Sequence, residues 1–256
     1  MQKGSIILDI KVLQKSPHPS GRIICFNESN HTYYAEDNPN EKFISVTTFI
    51  NKFFPKFKFD EISFVYAMKN GLDVNEVRQA WIDKREKATE LGKKVHLYVK
   101  KFLTSSENYA IVFDNEIEKH YFKQVRKAIK TMYYFGMEFE CSECILADLN
   151  WKIAGTTDLV FRFEDSLHLL DWKTSQKIKT HNQFQKGLTP IKHLDDVNYN
   201  KYILQLNLYE LLIRNNGYYP WAKQIVKRII HLSEDKFEFI DVPDMQREIK
   251  SMLKFR

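Results

Sequence analysis

Asp158, Asp171 and Lys173 are the residues of this chain to which chemistry is most readily assigned. They lie between Ile153 and Ser175, a stretch that reads as two strands joined by a tight turn at Glu164-Asp165, because β-branched, aromatic and aliphatic residues flank a short polar break. With a two-residue turn, Phe163 faces Ser166, and counting back along both strands sets Asp158 opposite Asp171. Directly opposed side chains share a face, with Cβ atoms about 4.5–5.5 Å apart. Lys173 lies on that face too, while Trp172 points the other way, into the core. Two facing carboxylates repel unless protonated or bridged by a cation, and hard oxygen ligands suit Mg²⁺ or Mn²⁺. An adjacent ammonium adds a group that can orient or deprotonate a water. The set suits metal-assisted hydrolysis.

The rest of the chain must position these groups. Three N-terminal stretches read as strands: Ser5 to Ile10, Arg22 to Phe26 and His31 to Tyr34, with a break from Lys15 to Gly21. A polar loop from Glu36 to Glu41 precedes Phe43 to Thr48, and Thr47 or Thr48 is placed to cap a short helix ending before Pro55. Glu61 to Lys69 has helical spacing at Ile62, Phe64, Val65 and Met68 and stops at Asn70-Gly71. A longer helix starts at Asp73 and runs through Gly92, whose cost of about 1 kcal/mol relative to Ala requires a reason such as a close approach. A further helix from Phe113 or Asp114 to Phe135 carries Ile117, Tyr121, Val125, Ile129 and Met132 along one side. Phe139 to Asp148 reads as a strand leading into the hairpin. After it comes an irregular basic run, Gln176 to Asn198, and then a strong amphipathic helix from Tyr199 to Arg214, ended at Asn216-Gly217. Two strands, Gln224 to Leu232 and Phe237 to Val242, and a short helix towards Met252 close the chain.

With 256 residues, one large domain is the natural expectation. Lys and Arg number 39 against 33 acids, a formal charge of +6, which favours a polyanionic partner. The three cysteines, Cys25, Cys141 and Cys144, are an odd number without a secretory signal and point to a reducing compartment. Cys141-Ser-Glu-Cys144 has the spacing of half a metal site, but no second pair completes it. The longest apolar runs, such as Tyr109 to Phe113, are too short to span a bilayer, so no membrane partner is expected.

Gly155-Thr-Thr-Asp158 followed by Asp171-Trp-Lys173-Thr-Ser resembles the PD-(D/E)xK nuclease superfamily, and the close form Asp-Trp-Lys-Thr-Ser resembles its RecB-like exonuclease branch. Three further elements fall in that branch's order: Gly92-x-x-x-His96, a Glu ahead of the hairpin, and Gln205-x-x-x-Tyr209. The N-terminal order, His-x-Tyr, a polar loop, Ser-Val-Thr-Thr and Phe54-Pro, resembles the phage-type members. Glu143 matches the glutamate position best by distance. Glu140 competes with it, and their odd separation puts the two on opposite faces of a regular strand.

The resemblance implies an α/β, restriction-endonuclease-like core: a mixed central sheet flanked by helices, with an N-terminal small β-sheet and a helical elaboration. One nuclease domain would span 1–256, with a β-rich cover over 1–58, a helical region over 59–136 and the catalytic core over 137–256. The activity implied is metal-dependent phosphodiester hydrolysis, as an exonuclease on single-stranded or free-ended DNA, with RNA not set aside. His96, Asp158, Asp171 and the main-chain carbonyl of Trp172 would hold one or two Mg²⁺ or Mn²⁺ ions, and Lys173 and Glu143 would be catalytic. Gln205, Tyr209 and Thr174 would meet the substrate. The branch's iron–sulfur members carry four cysteines, so no cluster is expected with three. The implied location is the cytoplasm of a bacterium or a phage-infected host.

Overall fold

The computed structural model describes residues 13–104 and 113–255. Its first strands, β1 (Leu13–Pro17), β2 (Ile23–Asn27), β3 (Thr32–Ala35) and β4 (Asn38–Ser45), pair antiparallel in chain order. The strand expected over Ser5 to Ile10 lies outside the described residues. The break expected from Lys15 is instead strand as far as Pro17, which pairs with Ile23. Pro is tolerated there because β1 is the outermost strand among the described residues, and an edge strand has an N–H direction free of ladder bonds.

β4 runs straight into α1 (Val46–Asn51). The helix is capped by Ser45, not by Thr47 or Thr48: its Oγ accepts the Thr48 N–H at 3.0 Å. Helix α2 (Phe59–Asn70) closes on Gly71 in the left-handed conformation. Its apolar residues do not face inward as their spacing suggests. Phe64, Val65 and Met68 are exposed, while Ser63 and Ala67 are buried. The small residues let the next helix come close, and Arg78 Nε donates to Ser63 Oγ at 3.0 Å. That helix, α3 (Val74–Thr104), begins where Asp73 Oδ1 accepts the N–H groups of Asn75 and Glu76. It passes through Gly92 unbroken. Helix α4 (Glu116–Tyr134) is capped by Asn115.

The central strands are β5 (Glu138–Asp148), β6 (Ile153–Phe163) and β7 (Ser166–Lys173), followed by α5 (Asn198–Asn216), β8 (Gln224–Leu232), β9 (Phe237–Asp241) and α6 (Gln246–Leu253). All nine described strands form one mixed sheet. One face carries Val160, Leu167, Leu169 and Ile229 against α1, α5 and α6. The other carries Leu159, Phe161, Leu170, Trp172 and Ile230 against α3 and α4. Trp172 is therefore in the core, on the opposite side from Asp171 and Lys173, as the alternation requires. Among the described residues, no helix is long and apolar enough to cross a membrane.

Helix α5 is fixed by a buried polar cluster. Asn207 Nδ2 donates to the Ile203 and Pro243 carbonyls at 2.7 and 3.0 Å. Its Oδ1 accepts from Lys227 Nζ at 2.7 Å and from the Met245 N–H at 2.9 Å. Lys227 also meets Glu210, so its buried charge is compensated.

β5 pairs with β6 along nearly its whole length, occupying one edge. On the other edge, β4 pairs with Ile153 and Ala154 in parallel, and β7 pairs with Leu159 to Phe163 antiparallel. Between β4 and β7, Gly155-Thr156-Thr157-Asp158 has no strand on that second edge among the described residues. The sheet is open there, and the gap is where the predicted residues gather.

Candidate active site

The hairpin turn falls at Glu164-Asp165, with Glu164 at φ +54°, and Phe163 pairs with Ser166. The ladder continues to Leu159 and Leu170 and then stops, one step short of Asp158 and Asp171. Beyond that point the strands part, and a side chain takes over the pairing: Asp158 Oδ2 accepts the Trp172 N–H at 2.9 Å. The other oxygen, Oδ1, is 3.5 Å from His96 Nδ1, which α3 brings in from across the gap.

Asp171 is only 2% exposed. Lys173 Nζ stands 2.5 Å from its Oδ2, yet neither carboxylate oxygen has an aligned hydrogen bond among the described residues. Burial, with the Asp158 carboxylate adding, pushes Asp171 upward to about 6 against the pull of Lys173. Such a site has more acceptor than donor, which is what a hard cation needs. Among the described residues, no three His, Cys, Asp or Glu side chains already converge as a metal cage. The ammonium of Lys173 is the cation in contact with Asp171.

Lys173 holds its proton tightly. Burial acts to lower its affinity, but Asp171 and Asp158 together outweigh burial, so the ammonium is held above its ordinary value. Tyr202, on the first turn of α5, lies under the same ammonium, its ring centre 4.6 Å from Nζ.

Glu143 and Glu140 are separated by the strand's irregularity. The β5 register shifts between Phe139 and Cys141, and Glu143 itself has φ +52°, a conformation uncommon for any residue but Gly. Glu143 turns towards α3, where Lys100 Nζ donates to its Oε2 at 2.7 Å, one helical turn beyond His96. Glu140 is exposed on the other side, adding to the rise of the Tyr219 phenol to about 12 that burial mainly causes. The same kink brings Cys141 and Cys144 side by side, with Cα atoms 6.1 Å apart. In an extended strand, residues three apart stand about 10 Å apart; left-handed Glu143 folds them together.

Gln205 and Tyr209 share a face of α5, and Gln205 Nε2 donates to the Tyr209 hydroxyl at 3.2 Å. Tyr209, expected to meet the substrate, is turned inward. It is 2% exposed, and its hydroxyl donates to the Thr156 carbonyl at 2.8 Å, satisfying a strand acceptor left open by the gap. Its ring explains Gly155: an added Cβ would stand 2.8 Å from Tyr209 Cε1 and 2.9 Å from Val46 Cγ2. Gly92 faces Thr174, but a Cβ there would be 3.7 Å from Thr174 Oγ1, an ordinary contact. The protein itself therefore does not require Gly at 92.

Sequence reasoning missed three neighbours of this site. Tyr33, on β3, shares its hydroxyl with Thr156 Oγ1 at 2.9 Å. Burial raises its phenol to about 12, with Asp158 and Glu143 contributing. It is the Tyr of the N-terminal His-x-Tyr element, but nothing local ties it to the site, because β3 reaches there only through the assembled sheet. Lys100 was detectable as the residue one turn after His96. Tyr202 was detectable too, since Tyr202, Gln205 and Tyr209 follow helical spacing.

A mixed sheet flanked by helices, with two carboxylates and a lysine where its central hairpin opens, defines the restriction-endonuclease-like class. The chain belongs to the PD-(D/E)XK nuclease superfamily, whose family model matches residues 58–252. No curated protein matches the chain.

Proposed function

We propose that this protein is a metal-dependent deoxyribonuclease of the RecB-like, phage-type branch, acting as an exonuclease on single-stranded or free-ended DNA in replication, recombination or repair. One observation carries the reading: His96, Asp158, Asp171 and Lys173 come from α3, β6 and β7 to a single gap in the sheet, where two carboxylates face one ammonium. That acceptor excess fits Mg²⁺ or Mn²⁺, which nucleases of this superfamily typically use. One or two such ions, held by His96, Asp158, Asp171 and the Trp172 carbonyl, would supply Lewis-acid polarisation of the phosphate and an acidified water.

Lys173 would orient the attacking water through Nζ. It gives up a proton only when the charge of Asp171 and Asp158 is offset, because burial then becomes the dominant influence and lowers its affinity. Glu143 would act beside it, placed by Lys100. Gln205 would present its amide to the substrate backbone while Tyr209, fixed on Thr156, supports it from behind. Thr174, just beyond Lys173, would contact the same backbone. The chain would work as one domain, residues 1–58 covering a core that 59–136 elaborates, in the cytoplasm of a bacterial or phage-infected cell. A nuclease-fold protein that grips DNA without cutting it is disfavoured by the complete Asp, Asp and Lys set.

The deciding experiment incubates end-labelled linear and circular DNA, single- and double-stranded, with Mn²⁺ or with EDTA. Loss of label from linear DNA only, abolished by EDTA, is expected. Circles cut as fast as linear strands would remove the exonuclease assignment, and no cleavage with any divalent ion would remove the enzyme.

A further inference from the structure

A second surface adjoins this site. Residues 51–57, after the end of α1, and residues 177–185, after β7, enclose a cleft of about 1080 Å³ floored by the start of α5. Lys56, Lys177 and Lys179 line it, and no ion pair or hydrogen bond ties any of them to an acidic side chain among the described residues. The carboxylate that also lines it, Asp196, is matched by Lys201 at 2.8 Å. The cleft therefore carries a surplus of positive charge, which favours a polyanion.

Two aromatic rings stand in it where water reaches them. Phe184 is 84% exposed and Phe57 is 64% exposed. Phe184 is held outward by a built turn: Asn182 Oδ1 accepts the N–H groups of Phe184 and Gln185 at 3.0 and 3.3 Å. Asn182 is itself fixed, its main-chain N–H and Nδ2 donating to Asp195 Oδ2 and the Asp196 carbonyl, each at 3.0 Å. Free ammonium groups interleaved with exposed rings match the sugar–phosphate chain and unstacked bases of a single strand. A duplex offers the charge but keeps its base faces stacked inside.

Lys201 lines the cleft, and the next residue of α5, Tyr202, underlies the Lys173 ammonium at 4.6 Å.

We propose that this cleft is the binding groove for single-stranded DNA, with Phe184 and Phe57 stacking on bases and Lys56, Lys177 and Lys179 meeting phosphates. The proposal deepens the nuclease reading and rests on it for the choice of DNA, but its test needs no cleavage. A fluorescent oligothymidylate of about 15 nucleotides, within the span of one such groove, is titrated with protein in EDTA and read by anisotropy at several salt concentrations. Phe184→Ala should weaken binding on the order of 10-fold. Lys177→Ala and Lys179→Ala should each reduce the logarithmic salt slope by about 0.7. Tyr134→Ala, which removes an equally exposed ring (85%) elsewhere, should bind like wild type. A blunt duplex of the same length should bind more weakly, and Phe184→Ala should leave that binding unchanged.

Wild-type affinity in the Phe184 and lysine variants would overturn the groove. Duplex competing as well as single strand would overturn the stacking, and oligouridylate binding tighter than oligothymidylate would overturn the assignment to DNA. The two readings fail separately. Cleft-dependent binding without hydrolysis leaves the groove and removes the enzyme, whereas hydrolysis with unaltered binding in all the variants does the reverse.

Discussion

The N–H of Trp172 donates to Asp158 Oδ2 at 2.9 Å, so a side chain continues a ladder that the backbone has abandoned. Asp158 thus has a structural bond on one oxygen and faces His96 with the other. The two roles come apart by substitution. Asp158→Asn keeps an oxygen able to accept from Trp172 and should fold normally while losing activity. Asp158→Ala should lose activity and also about 1–3 kcal/mol of stability, since a backbone donor is left open. Equal melting temperatures for the two variants would show that the Trp172 bond contributes nothing to stability.

Lys173 neutralises a carboxylate that is out of reach of water. Lys173→Ala should abolish turnover, and it should not be silent in folding. Removing one partner of a buried pair costs up to about 3–5 kcal/mol, less here because the lysine keeps partial exposure. Divalent ions should restore part of the loss, readable as a larger Mn²⁺-dependent rise in melting temperature for the variant than for wild type. Cleavage persisting at the wild-type rate would falsify the assigned role.

Tyr209→Phe leaves the ring against Gly155 and removes the donor to Thr156. The expected result is a fall in stability of about 1–3 kcal/mol from an unsatisfied buried carbonyl, with DNA affinity in EDTA unchanged. Gly155→Ala, which drives a methyl into that ring, should cost about 1–3 kcal/mol through overpacking. A variant Tyr209→Phe that folds like wild type but binds DNA poorly would place the phenol on the substrate after all.

Glu143 combines a left-handed backbone with an ion pair to Lys100. Glu143→Gly relieves the backbone and deletes the carboxylate, so stability should change by less than about 1 kcal/mol while cleavage falls sharply. Glu140→Gln, on the exposed side, should leave cleavage near wild type. Activity that follows Glu140 instead would move the catalytic carboxylate across the strand.

His168 sets an acid limit on the fold. It is buried in β7, and burial, with the nearby Arg228 charge, depresses its imidazole to about 4. The unfolded chain binds that proton at about 6.5, so the folded state is favoured at neutral pH. That advantage declines as pH falls from about 6.5 towards 4, because only the unfolded chain takes up the proton over that range. Replacing His168 with Phe should flatten the loss of melting temperature between these pH values. An unchanged acid slope would assign it to other groups.

The hairpin was legible in the sequence because its information is local: alternation fixed which residues share a face, and the polar pair Glu164-Asp165 fixed the turn. The register carries through to Leu159 and Leu170 as counted. The helices were legible to within a few residues for the same reason, since Gly71 and Gly217 end them with left-handed conformations. What could not be read depends on tertiary neighbours. The face of α2 was misjudged because α3 packs on Ser63 and Ala67, where small size matters more than hydrophobicity. Tyr209 was expected at the substrate, and only the assembled sheet shows the carbonyl of Thr156 that its hydroxyl meets. Tyr33 was visible only as part of the N-terminal His-x-Tyr element, and its place at the site could not be read because 123 positions separate it from Thr156, its partner.

Asn207 lies between Gln205 and Tyr209, and its side chain ties α5 to β8 and to residues 243–245 at once. For α5 to open locally, four bonds and a buried lysine must be released together. Amide hydrogens on this part of the helix should then exchange with solvent only through events close to global unfolding. The Lys173–Asp171 cluster thus rests against a part of the fold that does not breathe. The motion that admits and releases a nucleic-acid strand should then come from the opposite wall, α3.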